Sequence, residues 1–230
     1  VLARVDMLCL DKTGTLTSGA VELDHIESCL GSACVDGDGG SLAAGKVSAD
    51  DAAGGSAGTD AVASADDAAR AALAYLVGGS EANATAGAIA AGLTGLEPAQ
   101  ARYAIAFNSA RKWSAVQTQA GAYVLGAPEI VLAGSTGSGS TGSGSTGSGS
   151  TDDAALERVR ALAGMGKRVL VLAHSNQSLD QSENPTLPKD LTAALLVVLA
   201  EQVRPDAAQT LDYFKRQGVA VRVISGDNPV

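Results

Sequence analysis

Aromatic side chains are scarce in this chain of 230 residues: one Trp, two Phe and four Tyr, 3% in all. The core must be built from aliphatic groups, and a ring beside a polar turn stands out. Long apolar runs are also missing. A bilayer-spanning helix needs about 18 or more consecutive apolar residues, and Leu191 to Ala200 is too short, so no transmembrane helix is expected. Val1 opens no secretory-signal pattern. Histidine is rare: His25 and His174 have no partners at metal-ligand spacing and are expected to be packing or surface residues. Cys9, Cys29 and Cys34 are an odd, small set. They read as reduced thiols of a cytosolic compartment rather than a disulfide framework or zinc knuckle. Positive charge is in short supply, with 16 Lys and Arg against 25 Asp and Glu, a net charge of -9. Nucleic acid needs a broad basic surface, so it is excluded. A mononucleotide needs only a few local cations, which Arg111-Lys112 and Lys167-Arg168 supply.

What is present begins with Asp11. It opens the run Asp11-Lys12-Thr13-Gly14-Thr15-Leu16-Thr17, directly after the apolar stretch Val5 to Leu10. A strand that ends in an exposed carboxylate, followed by a small hydroxyl-rich turn, suits a nucleophile that accepts a phosphoryl group. Turn amides and the Thr hydroxyls hold the transferred oxygens, and Lys12 adds positive charge.

The rest of the chain alternates between helical and extended patterns. Val5 to Leu10 reads as a buried strand, and Ala20 to Ser28 as a second strand. Leu30 to about Thr59 is rich in Gly, Ala, Ser and Asp and is expected to be a loop. Ala61 to Val77 and Glu81 to Ala91 are Ala-rich and helical, broken at Gly78-Gly79. Arg102 to Phe107, Arg111 to Thr118 and Ala122 to Leu125 read as three antiparallel strands, and Pro128 as a helix start. Residues 134–151 repeat GSTGS at a five-residue period with no apolar face. They are read as an engineered flexible Gly/Ser/Thr linker spanning about 23 Å, so the elements it joins are expected to lie close in space. Asp152 to Ala163 reads as a helix with Asp152 as N-cap. Arg168 to Ala173 and Ala193 to Ala200 read as strands, Pro205 as the start of a last helix, and Val219 to Ile224 as a final buried strand. The first and last strands both end in a carboxylate-bearing turn, Asp11 and Asp227. Two such turns meet if the strands are neighbours in an open sheet.

The run from Asp11 to Thr17 resembles the phosphorylation signature of the P-type ATPases, membrane pumps that form an aspartyl-phosphate. Further segments follow in that family's order. Phe107 to Lys112 resembles its F-x-x-x-R-K segment. Gly126-Ala127-Pro128-Glu129 resembles its K-G-A-P-E turn, with Leu125 in the place of the Lys. Gly166 to Leu170 resembles a segment whose Arg approaches the nucleotide phosphates, Arg204-Pro205 the end of D-P-x-R-P with Glu201 in the Asp position, and Ser225-Gly226-Asp227-Asn228 the T-G-D-N motif.

The resemblance implies a truncated Rossmann-like phosphorylation domain of the haloacid-dehalogenase type, formed by residues 1–19 and 201–230. It also implies an inserted α+β nucleotide-binding domain on an antiparallel sheet, residues 20–200. It makes Asp11, Lys12 and Thr13 catalytic, and Asp11 and Thr13 ligands of an Mg²⁺ site. Phe107 stacks on adenine, Lys112 and Arg168 meet phosphates, and Arg204 joins the nucleotide set. Ser225, Gly226 and Asp227 position phosphate. Gly126 lets the backbone approach the purine. Leu125 in the Lys position implies weak affinity. Thr85 lies where relatives carry a T-E pair for the adenine amine, and Ala86 replaces the Glu. ATP and Mg²⁺ are the implied cofactors, the transmembrane domain of the parent pump the implied partner, and the cytoplasmic face of the membrane the implied location, with a monomeric soluble head.

The family continues to a G-D-G-x-N-D-x-P segment with further Mg²⁺ carboxylates. None occurs before Val230, so nucleotide binding without turnover is expected. A light-cation branch is expected, because the S-x-H-P motif of heavy-metal pumps is missing. Two alternatives remain at this point. A soluble haloacid-dehalogenase-type phosphatase or phosphotransferase usually reads D-x-D-x-T, but Thr13 stands at the second Asp. The other alternative is a non-catalytic nucleotide-binding module.

Overall fold

A computed structural model describes residues 5–30, 34–36, 56–79, 83–133 and 149–224. Strand β1 (Met7–Asp11) runs into a tight helical turn (Lys12–Leu16), then the long β2 (Thr17–Ser28) and the short β3 (Val35–Asp36). Helices α1 (Ser56–Val77) and α2 (Ala84–Gly92) follow. Next come β4 (Tyr103–Asn108), β5 (Trp113–Gln117), β6 (Ala122–Gly126) and α3 (Pro128–Val131). Helix α4 (Gly149–Gly164), β7 (Arg168–Ser175), β8 (Thr192–Val203), α5 (Ala207–Arg216) and β9 (Ala220–Ile224) complete the described chain. The stretch read as a linker lies outside the described residues up to position 148, and its last residues open α4.

The strands form two sheets. Seven pair in the order β3-β2-β8-β7-β6-β5-β4, every pair antiparallel. The other two, β1 and β9, form a separate parallel pair. The large sheet is covered on both faces. On one face Leu195, Val197 and Leu199 of β8 meet Ala69, Leu73 and Val77 of α1 and Ile89 of α2. On the other, Leu196 and Val198 meet Leu132 and the α4 residues Ala155 and Leu162. Successive side chains of a strand point to opposite faces. A strand buried on both sides therefore reads as one apolar run, as Ala193 to Leu199 does. Leu73, Ile89, Leu195, Leu196 and Leu199 are fully buried, each contributing roughly 1.5–3 kcal/mol relative to exposure. Ala69, Leu73 and Val77 are spaced four apart and share a helix face. Close approach elsewhere needs glycine: a Cβ at Gly92 of α2 would collide with Leu23 of β2.

A polar cluster centred on the buried Glu27 ties β2 to α4. Arg158 donates from Nε and Nη2 to both oxygens of Glu27 at 2.8–3.2 Å, and Glu27 is fully buried. His25 Nε2 lies 2.9 Å from Glu27, its Nδ1 lies 3.0 Å from Asp24, and Lys167 Nζ donates to Asp24 at 3.0 Å. Burial alone would lower the pKa of His25, but the hydrogen bonds to Glu27 and Asp24 outweigh it and raise the value. Asp24 is held below its ordinary value, chiefly by Lys167.

Several sequence expectations need correction. Cys29 and Cys34 form a disulfide. Glu27 and Ser28 of β2 pair with Asp36 and Val35 of β3, so the two cysteines bracket a reversal and their Cα atoms lie 4.1 Å apart. Cys9 alone is a free, exposed thiol among the described residues. Asp152 is not an N-cap: α4 begins three residues earlier, and the buried carboxylate accepts from the backbone N–H of Ala193, pinning the helix to β8. The last helix starts at Ala207 rather than Pro205. Finally, β1 and β9 are not buried strands. Met7, Val223 and Ile224 are more than half exposed, because among the described residues the two strands pair only with each other and have α5 beside β9, which leaves apolar side chains uncovered.

Candidate functional site

On the α1–α2 face, at the β4–β5 end of the large sheet, lies a cavity of about 790 Å³, within the usual range for small-molecule pockets. Its walls come from the end of α1, the start of α2, the β4–β5 turn, the end of β6 and the first residues of β7. Phe107, Lys112, Gly126 and Arg168 all line it, as do Leu125 and Thr85. These residues come from different elements and meet only because β4 to β7 are neighbours.

Local geometry explains each placement. Pairing of β4 with β5 slips between Ile105 and Asn108. Ile105 enters the core under α4, whereas Phe107, within the slip, is 52% exposed at the cavity rim. A slip of this kind re-aims a side chain that strict alternation would send to the core. The turn that follows is closed by Asn108: its Oδ1 accepts from Ala110 N–H at 2.8 Å and its backbone oxygen from Lys112 N–H at 2.7 Å. Lys112 has φ 61°, a left-handed conformation uncommon for a residue with a Cβ. The expectation of a strand through Arg111 and Lys112 is corrected here. The two residues sit in the turn before β5. Arg111 donates to Ala106 O at 3.0 Å and lies 5.4 Å from the centre of the Trp113 ring, a cation–π contact.

Gly126 is fixed by packing. A Cβ there would lie 2.9 Å from Trp113 Cβ and from Val131 Cγ2, and 3.0 Å from Lys112 O. Leu125 is buried with the α1–α2 core, opposite Ser114 in register. Arg168 opens β7 on the same sheet face as Leu170 and Leu172. Lys112 and Arg168 are exposed cations of the wall, and Glu129 of α3 adds one carboxylate. Against them stands an apolar surface of Ala86, Ile89, Leu125 and Leu170. A ring facing apolar groups, with two cations nearby, suits a flat heterocycle carrying negative charge.

Residues missed by sequence reasoning also line the cavity. Ser114 is two residues before Val116 on β5 and shares its face; alternation along the strand is the signal that finds it. Asn83 caps α2, its Oδ1 accepting from Ala86 N–H at 2.8 Å. Glu129 closes the segment that resembles K-G-A-P-E but was given no role of its own, and Tyr75 carries no sequence signal, since its place depends on how α1 docks.

Asp11 lies elsewhere, at the carboxyl end of β1. Parallel register places it opposite Ile224 of β9. Ser225, Gly226 and Asp227 lie outside the described residues, as do the side chains of Lys12 and Thr13. Gly14, with φ 80°, donates its N–H to Thr17 Oγ1 at 3.1 Å, so the Thr17 hydroxyl, buried with its residue, closes the turn. Arg204 does not line the cavity. Its N–H donates to Leu16 O at 2.9 Å, and its Nε lies 3.6 Å from Asp206, so it braces the Asp11 turn against the end of β8. Among the described residues no group of three His, Cys, Asp or Glu side chains could hold a metal ion. Among the described residues Asp11 supplies one hard oxygen donor group of the kind Mg²⁺ takes.

No protein-family model matches the chain. Over its whole length it is 32% identical to the probable cation-transporting ATPase exp7 of Streptococcus pneumoniae. It is 34% identical to the calcium-transporting ATPase CtpE of Mycolicibacterium smegmatis and 33% to that of Mycobacterium tuberculosis. The chain spans about a quarter of these relatives, 22–23% of their length. A crystal structure of a zinc-transporting PIB-type ATPase in the E2.Pi state shares the fold, with a TM-score of 0.51 at 18% identity over 98% of this chain and 26% of that one. Among the described residues no helix is long and apolar enough to cross a membrane.

Proposed function

From its whole-length similarity to cation-transporting ATPases, we propose that this chain is the ATP-binding head of a P-type pump. Asp11 is the residue that takes the phosphoryl group. The observation that carries the reading is convergence: Phe107, Lys112, Gly126 and Arg168, singled out from separate motifs, line one cavity. Adenine stacks on Phe107, a contact of about 1–3 kcal/mol. The phosphates lie toward Lys112 and Arg168, whose charges offset theirs. The large sheet from β2 to β8 is the nucleotide-binding domain, and β1, β9 and α5 belong to the phosphorylation domain.

In the reaction proposed for the whole pump a carboxylate oxygen of Asp11 attacks the γ-phosphorus in line, whereas this chain by itself is proposed to bind nucleotide without turnover. The bond from phosphorus to the bridging oxygen breaks, ADP leaves with that electron pair, and an aspartyl-phosphate remains. The Asp11 turn supplies N–H groups, and Arg204 steadies its backbone. Mg²⁺ would be held between the nucleotide phosphates and Asp11 with Thr13, and would offset the charge on the transferred group. The calcium-transporting relatives support a light cation as cargo of the whole pump.

Titration with ATP, followed by backbone amide shifts, tests the proposal. Perturbation centred on Phe107, Lys112 and Gly126 is expected. Shifts confined to the Asp11 turn would instead favour a soluble phosphotransferase, and no shifts at all would sink the nucleotide reading.

A further inference from the structure

Strand β4 carries one residue more than its partner at the cavity end. Ile105 pairs with Ala115 and Asn108 with Trp113, so Ala106 and Phe107 together face the single residue Ser114. Such a bulge interrupts the ladder and leaves backbone groups of the bulged residues without a cross-strand partner. Arg111 supplies a partner from the turn. Its Nη2 donates to Ala106 O at 3.0 Å, and its guanidinium lies 5.4 Å from the centre of the Trp113 ring. Trp113 is buried on β5 directly before Ser114. The planar guanidinium therefore spans the bulge, resting on the ring of one strand and bonded to the carbonyl of the other. The Ala106 carbonyl and the Phe107 nitrogen belong to one rigid peptide plane. Fixing that carbonyl fixes the backbone from which the Phe107 side chain leaves.

Resting on the nucleotide reading above, we infer that Arg111 is a positioning residue for base binding: it holds the β4 bulge that keeps the Phe107 ring at the cavity rim. A cation two residues from a cavity-lining Ser would ordinarily be assigned to the phosphates. Arg111 does not line the cavity, and its contacts are to Ala106 and Trp113. It acts on the base through Phe107, and Lys112, its neighbour in the turn, is the cation of the cavity wall.

Titration of the native chain and of Arg111→Met with ATP and with adenosine tests this. Adenosine carries no phosphate, so a charge at position 111 acting on phosphates would be felt by ATP alone. Both ligands are expected to weaken by the same factor, about threefold or more. A loss for ATP alone, or for neither ligand, overturns the inference. Phe107→Ala supplies the control for general damage to the turn. In that background Arg111→Met is expected to leave ATP affinity unchanged within about twofold; a further loss beyond that would show that Arg111 acts without Phe107, and the inference would fall. The ring is also read without ligand. Phe107 and Phe214 are the two phenylalanines of the chain. Arg111→Met is expected to shift the ring resonances of Phe107 and to leave those of Phe214, on α5, in place. Unmoved Phe107 resonances would overturn the inference even if nucleotide affinity fell. If the native chain binds neither ATP nor adenosine, the nucleotide reading fails by itself, and the ring resonances still decide whether Arg111 sets Phe107.

Discussion

The two sheets are built from similar sequence and end up in opposite environments. Strand β8 and strand β9 are both rich in aliphatic residues, Leu and Val in one and Val and Ile in the other, yet Leu195 to Leu199 are fully buried while Val223 and Ile224 are more than half exposed. The difference lies in coverage. Strand β8 has β2 and β7 as neighbours, α1 on one face and α4 on the other. Among the described residues, strand β9 has β1 and α5. Apolar composition sets which residues gain from burial, but neighbouring elements decide whether that gain is realised.

Truncation of the two strands gives the sharpest contrast. Leu196→Ala is expected to cost about 2–5 kcal/mol, whereas Val223→Ala should stay within about 0.5 kcal/mol. Urea unfolding of both variants reads this directly, and equal costs would break the distinction between the sheets. Next comes the polar cluster inside the covered region. Arg158→Ala leaves the buried Glu27 carboxylate without its bidentate partner and should cost about 3 kcal/mol. A loss below about 1 kcal/mol would mean that the other partners of Glu27, His25 among them, satisfy it.

Phe107 belongs to the covered sheet but is itself exposed, so it sharpens the comparison differently. Phe107→Ala should weaken ATP binding by about 1–3 kcal/mol and leave the thermal midpoint nearly unchanged. A large drop in the midpoint would show the ring to be a core residue. The smallest expected effect is on pH dependence. The folded pKa of His25 is raised above its ordinary 6.5, so its stabilising charge is fully present below that value. The contribution is lost as pH rises through the raised folded value. The urea midpoint of the native chain should fall over that window, and in His25→Gln the fall should disappear.

Much of the candidate site was legible because the motifs that point to it are local. The Asp11 turn announces itself by a strand, a carboxylate and small hydroxyl residues in sequence. The whole-length similarity to cation-transporting ATPases agrees with the family resemblance those residues carry. Strands β4, β5 and β6 were readable from alternation and turn residues. Ser114, Tyr75 and Glu129 were not read as part of the site, because a strand residue, a helix end and a short helix acquire their roles only through docking. The disulfide between Cys29 and Cys34 was misread for a related reason. Their spacing does not reveal that β2 folds back on β3.

By itself, then, the order of residues determined the local periods, the carboxylate turn and the set of residues with chemistry to offer. Tertiary structure decided which strands are covered, that Lys112 takes a left-handed turn, and that Phe107 leaves the core at a slip in pairing. Those outcomes depend on contacts between distant segments, and such contacts have no signature in any short stretch of chain.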